Sequence, residues 1–329
     1  MTGAIPDSAL IDALGGDVDG HEIVGVRRRP YRYATSAPLE EVVVLAGRNE
    51  VGPLILKDLS RERLLGDARA AKPEFLDQPL RELETYRRIV GPAGIGPRVV
   101  AAAAADEGPG PWLLLEKVPG VELWQIGEMR IWREVARWLG GFHGSFAGRL
   151  DEVRATNPHL IDCSQSWFRF WRLRALAALS ASHDARAAAV AAALEGFEGV
   201  LDLLASLPRG LIHGELYPSN VLVVPEREPV AVYPVDWEMA GIGPALIDLA
   251  ALVGGYPAAE RGPLADAYLE GLVDAGGSAP ERLDAGLAAC RLHLAIQWLG
   301  WAEDWRPPAE HAHDWLGEAL ELTAELGLS

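Results

Sequence analysis

Little cysteine and no basic surplus mark this chain. Only Cys163 and Cys290 occur in 329 residues, so no disulfide framework is available. Acidic residues outnumber basic ones 47 to 30, a formal charge of −17. Nucleic acids and anionic membranes need a positive field, so the balance argues against a general binder of either. A nucleotide, which needs only a few local cations, stays open. No apolar run approaches the ~20 residues of a membrane span. The opening MTGAIPDSAL lacks the basic region and apolar core of a signal peptide. No internal repeat is found, and the alanine-rich stretches read as helix. With 49% hydrophobic and 23% charged residues, the chain has the balance of a soluble globular protein. A cytoplasmic location is expected, and the length suffices for one large domain or two lobes.

What is present changes character along the chain. Residues 1–20 read as an arm or one short helix. From His21 to Leu59 the segments HEIVGV, EEVVVLAG and GPLILKDL read as strands, with RNEVG as turn material. QPLRELETYRRIV follows as a helix, apolar at Leu80, Leu83, Tyr86 and Ile89. PRVVAAAAA and PWLLLEKV are two further strands. Beyond Glu128 the segments EMRIWREVARWLGGFHGSF, SWFRFWRLRALAAL and ARAAAVAAALEGFEGVLDLLASL are helical. NVLVV and PVAVYPVDW interrupt them as short strands, and three or four helices run from Ala245 to the end. The layout is a small lobe of sheet plus one helix joined near Glu116–Gly120 to a larger helical lobe. Nucleotides commonly bind between two such units.

LIHGELYPSNVLV, residues 211–223, places a polar turn between two apolar runs, as a loop held up by a scaffold does. His213, Glu215 and Asn220 have the H-x-acid-x-x-x-x-N spacing of a kinase catalytic loop, whose acid accepts a hydroxyl proton and whose Asn holds Mg²⁺. Sixteen residues past Asn220, Asp236 ends a strand in VDWE, where a carboxylate can hold Mg²⁺ bridging phosphates. Lys57 ends LILK and offers a cation for the α- and β-phosphates. Glu82 in the next helix is expected to pair with it, in preference to Glu84.

The sequence resembles the aminoglycoside phosphotransferase and choline kinase-like family of small-molecule kinases. The resemblance is carried by HGELYPSNVLV, VDWEMAGIGPALIDLAAL, LLLEKVPG and RELETYRRI, across roughly residues 50–255. It implies an α+β, two-lobed, protein-kinase-like fold: an N-terminal arm (residues 1–20), a small antiparallel-sheet lobe with one main helix (21–117), and a larger, mostly helical lobe (118–329). It implies Glu215 as general base, Asn220 and Asp236 as Mg²⁺ ligands, and Glu238 as a further metal or substrate partner. The backbone from Glu116 to Val118 would receive the base of ATP or GTP. The partner implied is a small-molecule hydroxyl acceptor, with the chain a monomer or homodimer. An antibiotic or other sugar-bearing natural product is the first acceptor class. A metabolic sugar, amino sugar or amino alcohol is the second, and a non-catalytic nucleotide-binding pseudokinase is the reading from another class.

Two departures stand out. The loop acid is Glu215 where the family has Asp, about 1.5 Å more reach. Either the backbone recedes, the acceptor binds differently, or catalysis is lost. No G-x-G-x-x-G lies between the first strands; in GVRRRPYRYATSAPLEEV, Ser36 is the candidate phosphate contact, while Arg27–Arg29 and Arg32 suit a solvated strand. His213, His143 and Asp248 are expected to brace the loop. Trp167 and Trp171 share a helix face, and Trp298, Trp301 and Trp305 form a series near His293 and Gln297. These rings serve either as core packing or as an acceptor wall. Glu303, with Asp304, Glu310 and Asp314, offers either attraction for a cationic acceptor or a solvated face. No A-P-E-like segment follows Asp236, which argues against a protein kinase.

Overall fold

The computed structural model describes residues 5–18, 20–31, 37–65, 69, 72–104, 110–301 and 313–328. It divides into two units, one of residues 1–120 with 156–159 and 233–238, the other of the remainder.

The first unit is built on an antiparallel sheet. Its strands are β1 (Asp17–Val18), β2 (His21–Pro30), β3 (Leu39–Ala46), β4 (Asn49–Asp58), β5 (Val99–Ala103) and β6 (Trp112–Glu116), in the order β1-β2-β3-β4-β6-β5. Alternation along the strands sends Val42, Val44, Leu54, Leu56 and Leu114 into one apolar cluster. The short helix Asp7–Ala13 adds a fully buried Leu10 to that cluster. Among the described residues of this stretch, the short helix and β1 pack with the sheet. Lys57, one residue from Leu56 on β4, falls on the opposite face by the same alternation. The helix Pro79–Thr85 buries Glu82 and Leu83, and it widens into a π turn over Tyr86–Val90 that buries Tyr86 and Ile89.

The arginines of the first hairpin are spoken for. Arg27 pairs with Glu50 at 2.8 Å, Arg28 with Glu40 at 2.7 Å, and Arg29 with Glu41. Arg27 and Arg29 are exposed, whereas Arg28 is half-buried.

The second unit is mostly helical. Its longest helices are Met129–Phe146, Gln165–Ala181, Ala258–Asp274 and Leu283–Leu299, the last buried at every residue from Gly286 to Gln297. Short strands frame the polar loop. β9 (Arg209–Ile212) leads in, and β10 (Val221–Val224) leads out between β7 (Val121–Glu122) and β11 (Ala231–Pro234). β12 (Gly241–Pro244) lies antiparallel to β9 and parallel to β8 (Ile161–Asp162). β7, β8 and β12 are too short to show a period. Among the described residues, four helices follow Ala245, and no helix is long and apolar enough to cross a membrane.

Candidate active site

In the first unit a buried charge cluster forms around Lys57. Its ammonium lies 2.8 Å from Glu82 Oε1 and 2.7 Å from Asp236 Oδ1. Glu84 turns away and pairs with Arg87 and Arg88. Burial works to discharge Lys57, but Asp236, Glu82 and Glu238 together outweigh it and hold the ammonium well above its ordinary range. Burial pushes Glu82 up to about 7, against the pull of Lys57 and with Asp236 adding to the rise.

Asp236 is held in a backbone state that non-glycine residues rarely adopt. Its φ is 68°, alone among the described non-glycine residues in being positive, a conformation that costs about 1–3 kcal/mol. Its N–H donates to the hydroxyl of Tyr86 at 3.3 Å, and burial raises the pKa of that phenol. Two residues on, the Glu238 carbonyl accepts from Arg81 Nη1 at 2.7 Å, and its carboxylate accepts from Lys72 Nζ at 2.7 Å. Glu238 is therefore engaged by a lysine that sequence reasoning passed over. Arg81 also donates to the His159 carbonyl at 3.0 Å, fixing the helix that carries Glu82.

At the proposed hinge, the Glu116 N–H is taken by the Arg98 carbonyl at 2.9 Å. Any base recognition there falls to the Glu116 carbonyl and the backbone through Val118, whose side chain is buried. Lys117 between them donates to Glu41 at 2.5 Å.

In the second unit the loop after β9 is built from the inside out. Asp248, wholly buried on the helix Leu246–Val253, accepts from the His213 N–H at 2.7 Å and the Gly214 N–H at 2.9 Å. His143 Nε2 lies 3.2 Å from the same carboxylate, and its Nδ1 lies 3.0 Å from the Tyr268 hydroxyl. His213 Nδ1 accepts from the Glu215 N–H at 3.3 Å. Gly214 has φ 86°, and a Cβ there would stand 2.3 Å from the Met239 carbonyl oxygen, so only glycine fits. The Glu215 carbonyl then accepts from the Tyr217 N–H at 2.8 Å and from Asn220 Nδ2 at 2.9 Å. With its NH₂ committed, Asn220 presents the amide oxygen as its remaining polar atom. Glu215, Tyr217 and Asn220 are half-buried.

Asn220 and Asp236 offer hard oxygen donors of the kind Mg²⁺ prefers. Among the described residues no group of three His, Cys, Asp or Glu is arranged to hold a metal. A cation, the Lys57 ammonium, already sits on Asp236.

The aromatic residues extend from the loop. Trp298 Nε1 donates to the Tyr217 hydroxyl at 2.5 Å, and burial raises the pKa of that phenol. Trp298 stacks on Trp315 with centroids 5.4 Å apart, and Trp301 stacks on Trp171 at 5.9 Å. Trp167 meets Trp171 edge-on at 5.7 Å. Ser36 and Glu303, with Arg32, Asp304, Trp305 and Glu310, lie outside the described residues. Tyr86 stands four residues after Glu82, a spacing that could have flagged it; Lys72, in a polar stretch, carries no such sign.

A sheet unit with a buried lysine–glutamate pair and a helical unit with a braced acid–asparagine loop define a protein-kinase-like fold. A sequence profile of the phosphotransferase enzyme family matches residues 40–293, well over half the chain, and the protein belongs to that family. Among solved structures, a choline kinase from Cryptosporidium parvum Iowa II is similar at 15% identity, with 92% of this chain and 88% of that one covered and a TM-score of 0.57. A GDP complex of an aminoglycoside 2'-phosphotransferase matches at 14% identity, with 93% and 92% covered and a TM-score of 0.58. A microcompartment-associated aminopropanol kinase matches at 16%, with 96% and 94% covered and a TM-score of 0.58. At such identities the likeness bears on fold alone. A search of curated proteins finds no match.

Proposed function

We propose that this protein is a small-molecule kinase that moves the γ-phosphoryl group of ATP or GTP to a hydroxyl of its acceptor. The acceptor oxygen forms the new P–O bond, the bond to the β-phosphate oxygen breaks, and the nucleoside diphosphate leaves. Glu215 takes the hydroxyl proton. Lys57, aimed by Glu82, neutralises charge on the α- and β-phosphates, and Asn220 and Asp236 hold Mg²⁺. When bound, the ion supplies charge compensation on the phosphate oxygens. Positioning and electrostatics furnish most of the rate in such reactions. The observation that carries this reading is the Lys57 ammonium shared between Glu82 and Asp236. A binding-only relic would have little reason to keep the buried Lys57–Glu82 pair together with the half-buried Asp236.

The acceptor class put forward first is an antibiotic or other sugar-bearing natural product, so that modification confers resistance. A metabolic sugar, amino sugar or amino alcohol is the second acceptor class. The matched structures bearing the words aminoglycoside, choline and aminopropanol fit both classes. A transfer screen with Mg²⁺, using ATP and GTP separately against aminoglycosides, simple sugars and amino alcohols, tests the reading. Phosphorylation of one class is expected. Tight nucleotide binding with no transfer to any class would favour the pseudokinase.

A further inference from the structure

Tyr86 is 1% exposed, and a phenylalanine would fill the same space. A hydroxyl taken out of water costs free energy unless it is bonded, so packing alone does not account for the phenol. Its oxygen accepts from the Asp236 N–H at 3.3 Å. Glu82 lies four residues earlier on the same helix face and reaches the other end of Asp236. Its carboxylate accepts from Lys57 at 2.8 Å, and Lys57 donates to Asp236 Oδ1 at 2.7 Å. Arg81, 5% exposed, donates to the Glu238 carbonyl at 2.7 Å. One helix thus grips residues 236–238 at two backbone atoms and, through Lys57, at one carboxylate. All these residues belong to the first unit.

The grip falls where the backbone needs it. Asp236 has φ 68°, a state that persists only where the surroundings over-determine it. The helix widens into its π turn at Tyr86 itself, and such turns are frequent at functional sites. We propose that Tyr86 is a positioning residue for the metal site, its hydroxyl holding the Asp236 backbone so that Mg²⁺ meets a carboxylate already oriented. The proposal rests on the metal and nucleotide reading above, and it gives Tyr86 no contact with substrate.

Tyr86→Phe keeps the ring and removes only the hydroxyl. Mn²⁺ binding to the complex with β,γ-imido-ATP, followed by electron paramagnetic resonance, tests the proposal without turnover. The unaltered protein is measured first, and absence of nucleotide-dependent Mn²⁺ binding there would overturn the underlying reading and the proposal with it. Once that binding is established, Tyr86→Phe is expected to hold Mn²⁺ about 2–10-fold more weakly, the worth of one hydrogen bond. Its affinity for metal-free nucleotide should be unchanged. Ile89→Val, a buried change on the same helix, should leave Mn²⁺ affinity as it was. Unchanged Mn²⁺ affinity in Tyr86→Phe would overturn the proposal. So would an equal loss in Ile89→Val, or a loss of nucleotide affinity that is the same with and without metal, since either marks a general effect of packing. Hydrogen exchange decides the matter without any variant: the Asp236 amide of the unaltered protein should be protected, and exchange at the rate of a free amide would overturn the proposal.

Discussion

Replacing Glu82 with glutamine should make the protein more stable at alkaline pH, although it removes one side of a buried ion pair. Glu82 is 2% exposed, and its carboxyl is raised from 4.5 to about 7 by burial, which Lys57 only partly offsets. A carboxyl with a raised native pKa binds more protons folded than unfolded, so stability is highest below pH 4.5 and is lost as pH rises toward 7. At about 1.4 kcal/mol per unit, a shift of this size amounts to about 3 kcal/mol between pH 4.5 and 8. Glutamine imitates the protonated acid and does not titrate. The two proteins should therefore match near pH 5, and the Gln variant should lead by up to about 3 kcal/mol at pH 8. Denaturant unfolding of both at unit pH steps measures the difference; carboxylates remote from Lys57 cancel in the subtraction, and Asp236 and Glu238, which interact with Glu82, do not. A Gln variant about 3 kcal/mol less stable at pH 8, the penalty for breaking a fully ionised buried pair, would refute the reasoning.

Other expectations follow from single contacts. Asp248→Ala orphans the buried N–H groups of His213 and Gly214, at about 1–3 kcal/mol each. Unfolding midpoints should show this loss, with Asp248→Asn intermediate because its amide oxygen still accepts. Gly214→Ala meets both a positive φ and the Met239 carbonyl, so it should cost more than about 1 kcal/mol and lower kcat, read by thermal unfolding and initial rates. Asp236→Asn keeps a residue that tolerates positive φ but removes the charge. It should abolish the Mg²⁺-dependent part of nucleotide binding in calorimetry, and unchanged titrations would refute the metal assignment.

Much of this architecture was legible because it obeys a period. The strands β3, β4 and β6 and the helix bearing Glu82 show theirs, and the H-x-acid-x-x-x-x-N loop has a fixed spacing. Partners chosen in three dimensions were not legible. Lys72 and Glu238 are separated by 166 residues in sequence, and Tyr86 reaches the Asp236 amide across 150. Neither pairing leaves a local pattern. The positive φ of Asp236 has no sequence mark either, since Asp both tolerates and avoids that state. GIGP was unreadable as β12 because glycine and proline normally punctuate strands, and its place comes from pairing with β9 and β8.

The central claim is that Glu215 serves as the base for phosphoryl transfer to a small-molecule hydroxyl. Single-turnover transfer from γ-labelled nucleotide to the acceptor found in the screen, compared between the unaltered protein and Glu215→Gln, tests it most directly. The account predicts a loss of about 10²–10⁴-fold in the transfer rate, the usual worth of a general base, with nucleotide affinity nearly unchanged. A Gln variant that keeps more than half the rate would contradict it.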